Sequence, residues 1–341
     1  MSGSSNKPLI VAIVAGAVVL VVAILAIAGV FSDDDGDGSS EGDEFGITAP
    51  EPPKPPPQPT AETIRVGSIR PDSIAAGAGH VWASDSFSGK VVRVNPRSNA
   101  TRELQSGGFP TAVTAGEGAA WLALPDRGAT QRVSPSGEAA EPKRVKDFPF
   151  QISAGEGAVW AMSQSSVERV DPATGAPSDP PTKLEGPGSE IAAGEGWVWV
   201  TRHNREVVRL SPDDGELSDT EAELPGAFNV TVGEGAVWAL GAPQPVPGGK
   251  PGTASLIRVD PQSGETVGDP VRIPEALDLA AGLGYVWVTS ADGTVRRVDP
   301  ASGQFVGQPI DVGRVPQAIA VGEGAVWVAD PADRTITRLE P

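Results

Sequence analysis

Ile319-Ala320-Val321-Gly322-Glu323-Gly324-Ala325-Val326-Trp327-Val328 decides the fold, because close variants of it recur along the chain. Ile74 to Ala83 and Ile191 to Val200 are two of them. The tryptophans fall at Trp82, Trp121, Trp160, Trp199, Trp238, Trp287 and Trp327, at intervals of 39, 39, 39, 39, 49 and 40 residues. A period near 40 signals a propeller or another repeat array. A second motif follows each tryptophan. It reads Asp171-Pro172-Ala173-Thr174-Gly175, Asp260-Pro261-Gln262-Ser263-Gly264 and Asp299-Pro300-Ala301-Ser302-Gly303, with looser copies beginning at Asn95, Ser134 and Ser211. Its chemistry is that of a turn: the leading side-chain oxygen caps it, Pro sets φ, and Gly takes the left-handed position.

Each repeat therefore reads as four short strands. Strand a is the Ile-Ala stretch, strand b carries Val-Trp-Val, strand c is the run before Asp-Pro, and strand d is a run such as Pro309 to Val312. Seven tryptophans predict an all-β, seven-bladed propeller over residues 62–341. Thr63-Ile64-Arg65-Val66-Gly67 matches Pro309-Ile310-Asp311-Val312-Gly313, a strand d without its own blade. The sequence stops after Leu339 where earlier repeats turn into strand d. The amino-terminal strand is expected to complete the last blade, closing the ring and removing two exposed edges. The repeated tryptophans are expected to wedge between blades.

Upstream of residue 62 the composition changes twice. Leu9 to Phe31 carries no charge and would span about 34 Å as a helix, enough for a bilayer core. Lys7 precedes it and Asp33, Asp34, Asp35 and Asp37 follow, which places residues 1–8 in the cytoplasm and the remainder outside. Ala26-Ile27-Ala28 resembles a signal-peptidase site, but the apolar run is longer than a signal core, so residues 9–31 are expected to stay as a single-pass anchor. Residues 32–61 combine an acidic tract with a proline-rich one, a composition that favours an extended stalk over a folded element. Asp33, Asp35, Asp37, Gly38 and Glu44 match a calcium-loop spacing inside that tract, where a solvated spacer is the reading preferred.

Composition narrows the function. The 341 residues hold no cysteine, which excludes disulfides, thiolate metal sites and a cysteine nucleophile. A net charge of -18 argues against a nucleic-acid partner. Only His80 and His203 are present, without a Gly-x-Ser-x-Gly elbow, a His-Glu-x-x-His pair, a P-loop or a dinucleotide motif. The residues imply no cofactor, no metal and no catalytic set. Two sequons, Asn99-Ala100-Thr101 and Asn229-Val230-Thr231, carry no functional weight.

In a propeller the a–b and c–d hairpins share one face, and the b–c and d–a connections share the other. Here the hairpins are uniform and the opposite face varies, which makes the latter the functional candidate. The fifth blade carries an insertion from Gly241 to Thr253. The fourth carries Arg202-His203-Asn204-Arg205, and the d–a connections bring Phe109, Phe148, Phe150 and Phe228 toward the channel mouth. Arg202, His203, Arg205 and these phenylalanines would frame an apolar pocket with a cationic side, suited to an anionic or aromatic ligand. The plainer alternative is loop residues, with the phenylalanines capping the core.

The repeated Ile-Ala-Val-Gly-Glu-Gly-Ala-Val-Trp-Val-Ala-Asp and Arg-Val-Asp-Pro motifs resemble those of YncE-like and streptogramin (virginiamycin B) lyase-like seven-bladed propellers of bacteria. They are also similar to the extracellular propeller sensor domains of bacterial serine/threonine kinases. The lyase resemblance implies an elimination needing magnesium, a catalytic histidine and acidic ligands in the late blades. The sixth and seventh blades here contain no histidine. The resulting expectation is a cell-membrane-anchored, extracytoplasmic propeller that binds a protein or cell-envelope ligand without catalysis. A metal-dependent lyase or hydrolase with its site at the channel mouth is the alternative, and an assembly scaffold a third reading.

Overall fold

The computed structural model describes residues 57–202, 206–224, 226–241 and 253–341. The segments read as tail, anchor and most of the stalk, the calcium-loop match, and residues 242–252 of the fifth-blade insertion lie outside these. Among the described residues no helix is long and apolar enough to cross a membrane.

Seven four-stranded antiparallel sheets form the ring. In the first blade strands a to d are Ser73–Gly77, His80–Asp85, Lys90–Val94 and Thr101–Gln105. The innermost strands of the next six are Ala112–Gly116, Gln151–Gly155, Gly188–Gly194, Ala227–Gly233, Ala276–Gly282 and Ala318–Gly322. The seventh blade takes its outer strand from the other end of the chain, since Thr60–Arg65 pairs antiparallel with Thr335–Glu340. The expected closure is therefore present.

Strand b is covered on both faces, which is why it reads as an unbroken apolar run: all six residues of Ala119–Leu124 are buried. Each repeated tryptophan lies within it and is almost wholly buried. Trp160 packs with Ile191, Val198, Val200 and Val208 of the next blade, and Trp327 with Ile74, Val81 and Val92 of the first. The indoles are thus wedges between blades.

The indole N–H of each of the seven repeated tryptophans finds an acceptor. Trp160 Nε1 donates to Gly155 O at 3.2 Å, and the other six repeat the bond to the glycine five residues upstream. The strand-c arginine stands opposite in register, as in Trp160↔Arg169. Its guanidinium lies 5.9 Å from the Trp160 ring centroid, within cation–π range. Several of these arginines also reach the following blade: Arg93 Nη1 donates to Pro135 O at 2.6 Å and Arg209 Nη1 to Pro261 O at 2.7 Å. Arg297 of the sixth blade has no Asp-Pro turn to reach in the seventh, because that turn is replaced by the chain's two ends. It donates to Pro57 O instead, at 3.3 Å.

The a–b hairpins have two-residue turns with φ positive at both positions, as at Glu117 (+51°) and Gly118 (+75°). That is type I′ geometry, in which Asn would be the easier first residue. The glutamate has a separate task. Glu117 accepts from Gly157 N at 3.2 Å, Glu156 from Gly196 N at 3.1 Å, and Glu323 from Gly79 N at 2.9 Å, so each tethers its blade to the next. The glycine opening the turn is fixed by crowding between neighbouring inner strands: a Cβ on Gly77 would lie 2.6 Å from Ala115 O.

Removing one wedge should expose the size of this term. Trp160→Ala is expected to lower unfolding stability by about 3–5 kcal/mol, measured by denaturant titration. A loss below ~1 kcal/mol would mean that the indole is not the packing element between blades three and four.

Candidate functional site at the channel mouth

The inner strands line the central channel, and register decides which residues face it. Counting back from the hairpin glycine, the third position is Ile74, Val113, Ile152, Ile191, Val230, Leu279 or Ile319, all buried in the blades. The fourth position points the other way because strand side chains alternate. There stand Ser73, Ala112, Gln151, Glu190, Asn229, Asp278 and Ala318, all lining a cavity of about 280 Å³ at the channel mouth, which the third-position residues of six blades also border. Thr111, Gln317 and Asp72 complete its polar wall. Below it the channel is walled mainly by small residues such as Ala76, Ala115, Ala154 and Ala193.

The polar ring is bonded from blade to blade. Gln151 Nε2 donates to Glu190 Oε2 at 2.6 Å, and Asn229 Nδ2 to Asp278 Oδ1 at 2.7 Å. Asp278 also accepts from Leu279 N at 2.8 Å and, across the next blade boundary, from Ile319 N at 2.9 Å. Ser73 Oγ accepts from Val113 N at 3.1 Å in the same relation.

Protein surrounds both carboxyls, although channel solvent still reaches them. Loss of bulk water pushes Glu190 up to about 8, and the negative charge on Asp278 adds to the shift. Burial raises Asp278 to about 6, against the opposing pull of the Ile319, Asn229 and Leu279 bonds. Burial also raises Asp72, which Ser86 holds through its backbone N–H and its hydroxyl. Among the described residues no lysine, arginine or histidine lines the cavity.

The candidates from the sequence are distributed more widely. Phe109 is 50% and Phe148 71% exposed on d–a connections, and Phe228 is 37% exposed beside Asn229. Phe109 N donates to Asp126 Oδ1 at 2.9 Å, which ties its connection to the neighbouring b–c loop. Phe148 and Phe150 share a groove with Pro125 and Gln164, but Phe150 is half-buried and packs against the Trp160 cluster. Arg202 does not supply the expected cationic side: it is buried and ion-paired with Glu206 inside the fourth blade. His203 and Arg205 lie outside the described residues. His80 begins strand b of the first blade and meets the Trp82 ring edge-on at 5.8 Å, far from a catalytic setting.

Sequence reasoning missed Gln151, Glu190, Asn229 and Asp278. The signal was available, because these are the polar residues at one variable position of an otherwise apolar motif. The carboxamide of Asn229, the acceptor residue of a sequon, is committed to Asp278 in the channel.

The resemblance to lyases implies a magnesium ion, and the channel mouth does not fit one. Its two closest carboxyls already hold amide donors, no imidazole is beside them, and among the described residues no three His, Asp or Glu gather as a metal site.

No family model and no curated protein matches the chain. Solved structures do. The chain is similar to the Neurospora crassa Pan2 WD40 domain, with a TM-score of 0.64 at 12% identity over 82% of this chain and 94% of that one. It is also similar to BamB from Moraxella catarrhalis, with a TM-score of 0.53 at 12% identity over 80% and 85%. At such identity the likeness establishes the fold, a seven-bladed β-propeller, and nothing narrower.

Glu190 makes the pH response unusual for a carboxyl. The unfolded chain releases its proton near the ordinary value of 4.5, whereas the folded ring keeps it until about 8. Its stabilising effect is whole below 4.5 and is lost as pH rises to 8. Asp278 acts alike between 3.8 and about 6. Thermal melts at pH 5 and pH 8 should show Glu190→Gln gaining stability relative to wild type at the higher pH. An equal effect at both would contradict a shared, protonated site.

Proposed function

We propose that this chain is a membrane-anchored, extracytoplasmic propeller that works as a binding module, taking a protein or cell-envelope ligand on its b–c and d–a face. The observation that carries this reading is the difference between the two faces. On one, the Gly-Glu-Gly hairpins spend their carboxylates on neighbouring blades. The other carries the polar channel mouth together with exposed Phe87, Phe109, Phe148 and Phe228. Apolar side chains cost free energy in water, and a cluster of them around a concave centre is the usual mark of an interaction surface.

Anchoring rests on the uncharged run from Leu9 to Phe31 and its charge asymmetry, and the stalk on the acidic and proline-rich composition after it. A relation to YncE-like and lyase-like propellers is supported by the shared turn and core motifs. Those motifs build the scaffold, which is why they support a binding role no less than a catalytic one. No observation favours the lyase reading.

The test uses the full-length chain in its own cells with a photoreactive phenylalanine analogue at Phe148 or, on the hairpin face, at Leu283. Both positions are exposed and apolar. Adducts are expected from position 148 and not from position 283, in membranes that retain the protein through a carbonate wash. Equal labelling at both positions, or release by carbonate, would count against the proposal.

A further inference from the structure

The channel mouth has a chemical bias that the exposed phenylalanines do not share. Its polar groups include the carboxyls of Glu190 and Asp278 and the amides of Gln151, Asn229 and Gln317, contributed by five blades. Gln151 and Asn229 spend an N–H on those carboxyls, and their amide oxygens make no hydrogen bond to the described residues. With no cation among the described residues of the wall, an anionic ligand would meet the Glu190 and Asp278 carboxyls without a compensating charge. A ligand rich in donors would instead replace water bond for bond.

Size narrows the class. About 280 Å³ holds roughly nine waters at ~30 Å³ each, which suits a six-membered ring with its hydroxyls. The wall is also preorganised. Ser73 to Val113 and Asp278 to Ile319 bond adjacent inner strands, so little order has to be imposed when a ligand enters.

We infer that the channel mouth binds a single polyhydroxylated ring, a neutral sugar or an amino sugar, whose donors meet the side-chain acceptors of blades three to seven. The inference rests on the binding-module reading and gives that module a small-molecule subsite separate from its aromatic rim. Hydroxyl donors satisfy the carboxylate of Asp278, and an ammonium group on an amino sugar strengthens the same contacts. A free sugar and the end of an envelope glycan share this chemistry.

Saturation-transfer NMR on the full-length chain in detergent tests the assignment, with glucose, glucosamine and glucuronate as probes at millimolar concentration. Transfer is expected to glucose and glucosamine but not to glucuronate. Gln317→Ala, which changes an exposed side chain with no hydrogen bond in the ring, should weaken it severalfold. Asp278→Asn should weaken it by about tenfold, while Phe109→Ser with Phe148→Ser leaves it unchanged. Transfer to a short glucose oligomer through its terminal ring alone would point to a glycan end as the source, and transfer to the monomer only would point to a free sugar.

Three results would overturn the proposal: no transfer to any sugar, transfer to glucuronate equal to that of glucose, or binding of glucosamine and ethylamine without glucose. The last would make the mouth a simple cation sink. Loss of photo-adducts at Phe148 with sugar transfer intact would remove the docking role alone, and the reverse would remove only the sugar subsite.

Discussion

A tryptophan placed between two sheets is the contact on which the ring depends. Each blade is a four-stranded sheet that could not bury its faces alone, and its neighbours supply the cover. The indole fills the gap on one side and sends its N–H to the backbone of its own inner strand, while an arginine from strand c stacks on its ring. The same class of arginine reaches a proline carbonyl in the next blade's turn, so the wedge and the strap are built from one cross-strand pair. Because the chain of contacts is circular, a weak boundary anywhere would open two edges. The seventh blade is completed by pairing Thr60–Arg65 with Thr335–Glu340, and the bond from Arg297 to Pro57 straps it to the sixth.

The two faces of the ring follow from how the strands are joined. Antiparallel order sends the tight hairpins to one end and the longer connections to the other. At the tight end, glutamates held at positive φ accept a backbone N–H from the adjacent turn, a role that asparagine is too short to fill. At the opposite end, aspartates after strand b hold the incoming connections: Asp85 accepts from Arg70 N at 3.0 Å and Asp330 from Val315 N at 2.8 Å. The loops are thus fixed at their bases and free to vary at their tips, which is the arrangement a recognition surface requires.

Inside the channel the balance is different. Burial of Glu190 and Asp278, with no cation beside them among the described residues, favours their protonated forms over part of the range in which ordinary carboxyls are charged. A ligand anion would find no opposite charge there among the described residues. Arg202, one member of the cationic side expected from the Arg202–Arg205 loop, is instead paired with Glu206 within its own blade.

Much of the fold was legible in the linear chain. Seven tryptophans at near-constant spacing, paired with Asp-Pro turns, specified seven blades because each repeat must solve the same packing problem with the same residues. The homeless strand near Ile64 announced the closure for the same reason. The site was not legible in that way. Gln151 and Glu190 lie 39 residues apart and Asn229 and Asp278 lie 49 apart, and each occupies an ordinary strand position. Local chemistry determined the strands, the turns and the wedges, since those depend on neighbours a few residues away. Only the closed ring decided which side chains would converge in the channel and lose their water, because convergence and burial are properties of seven sheets together.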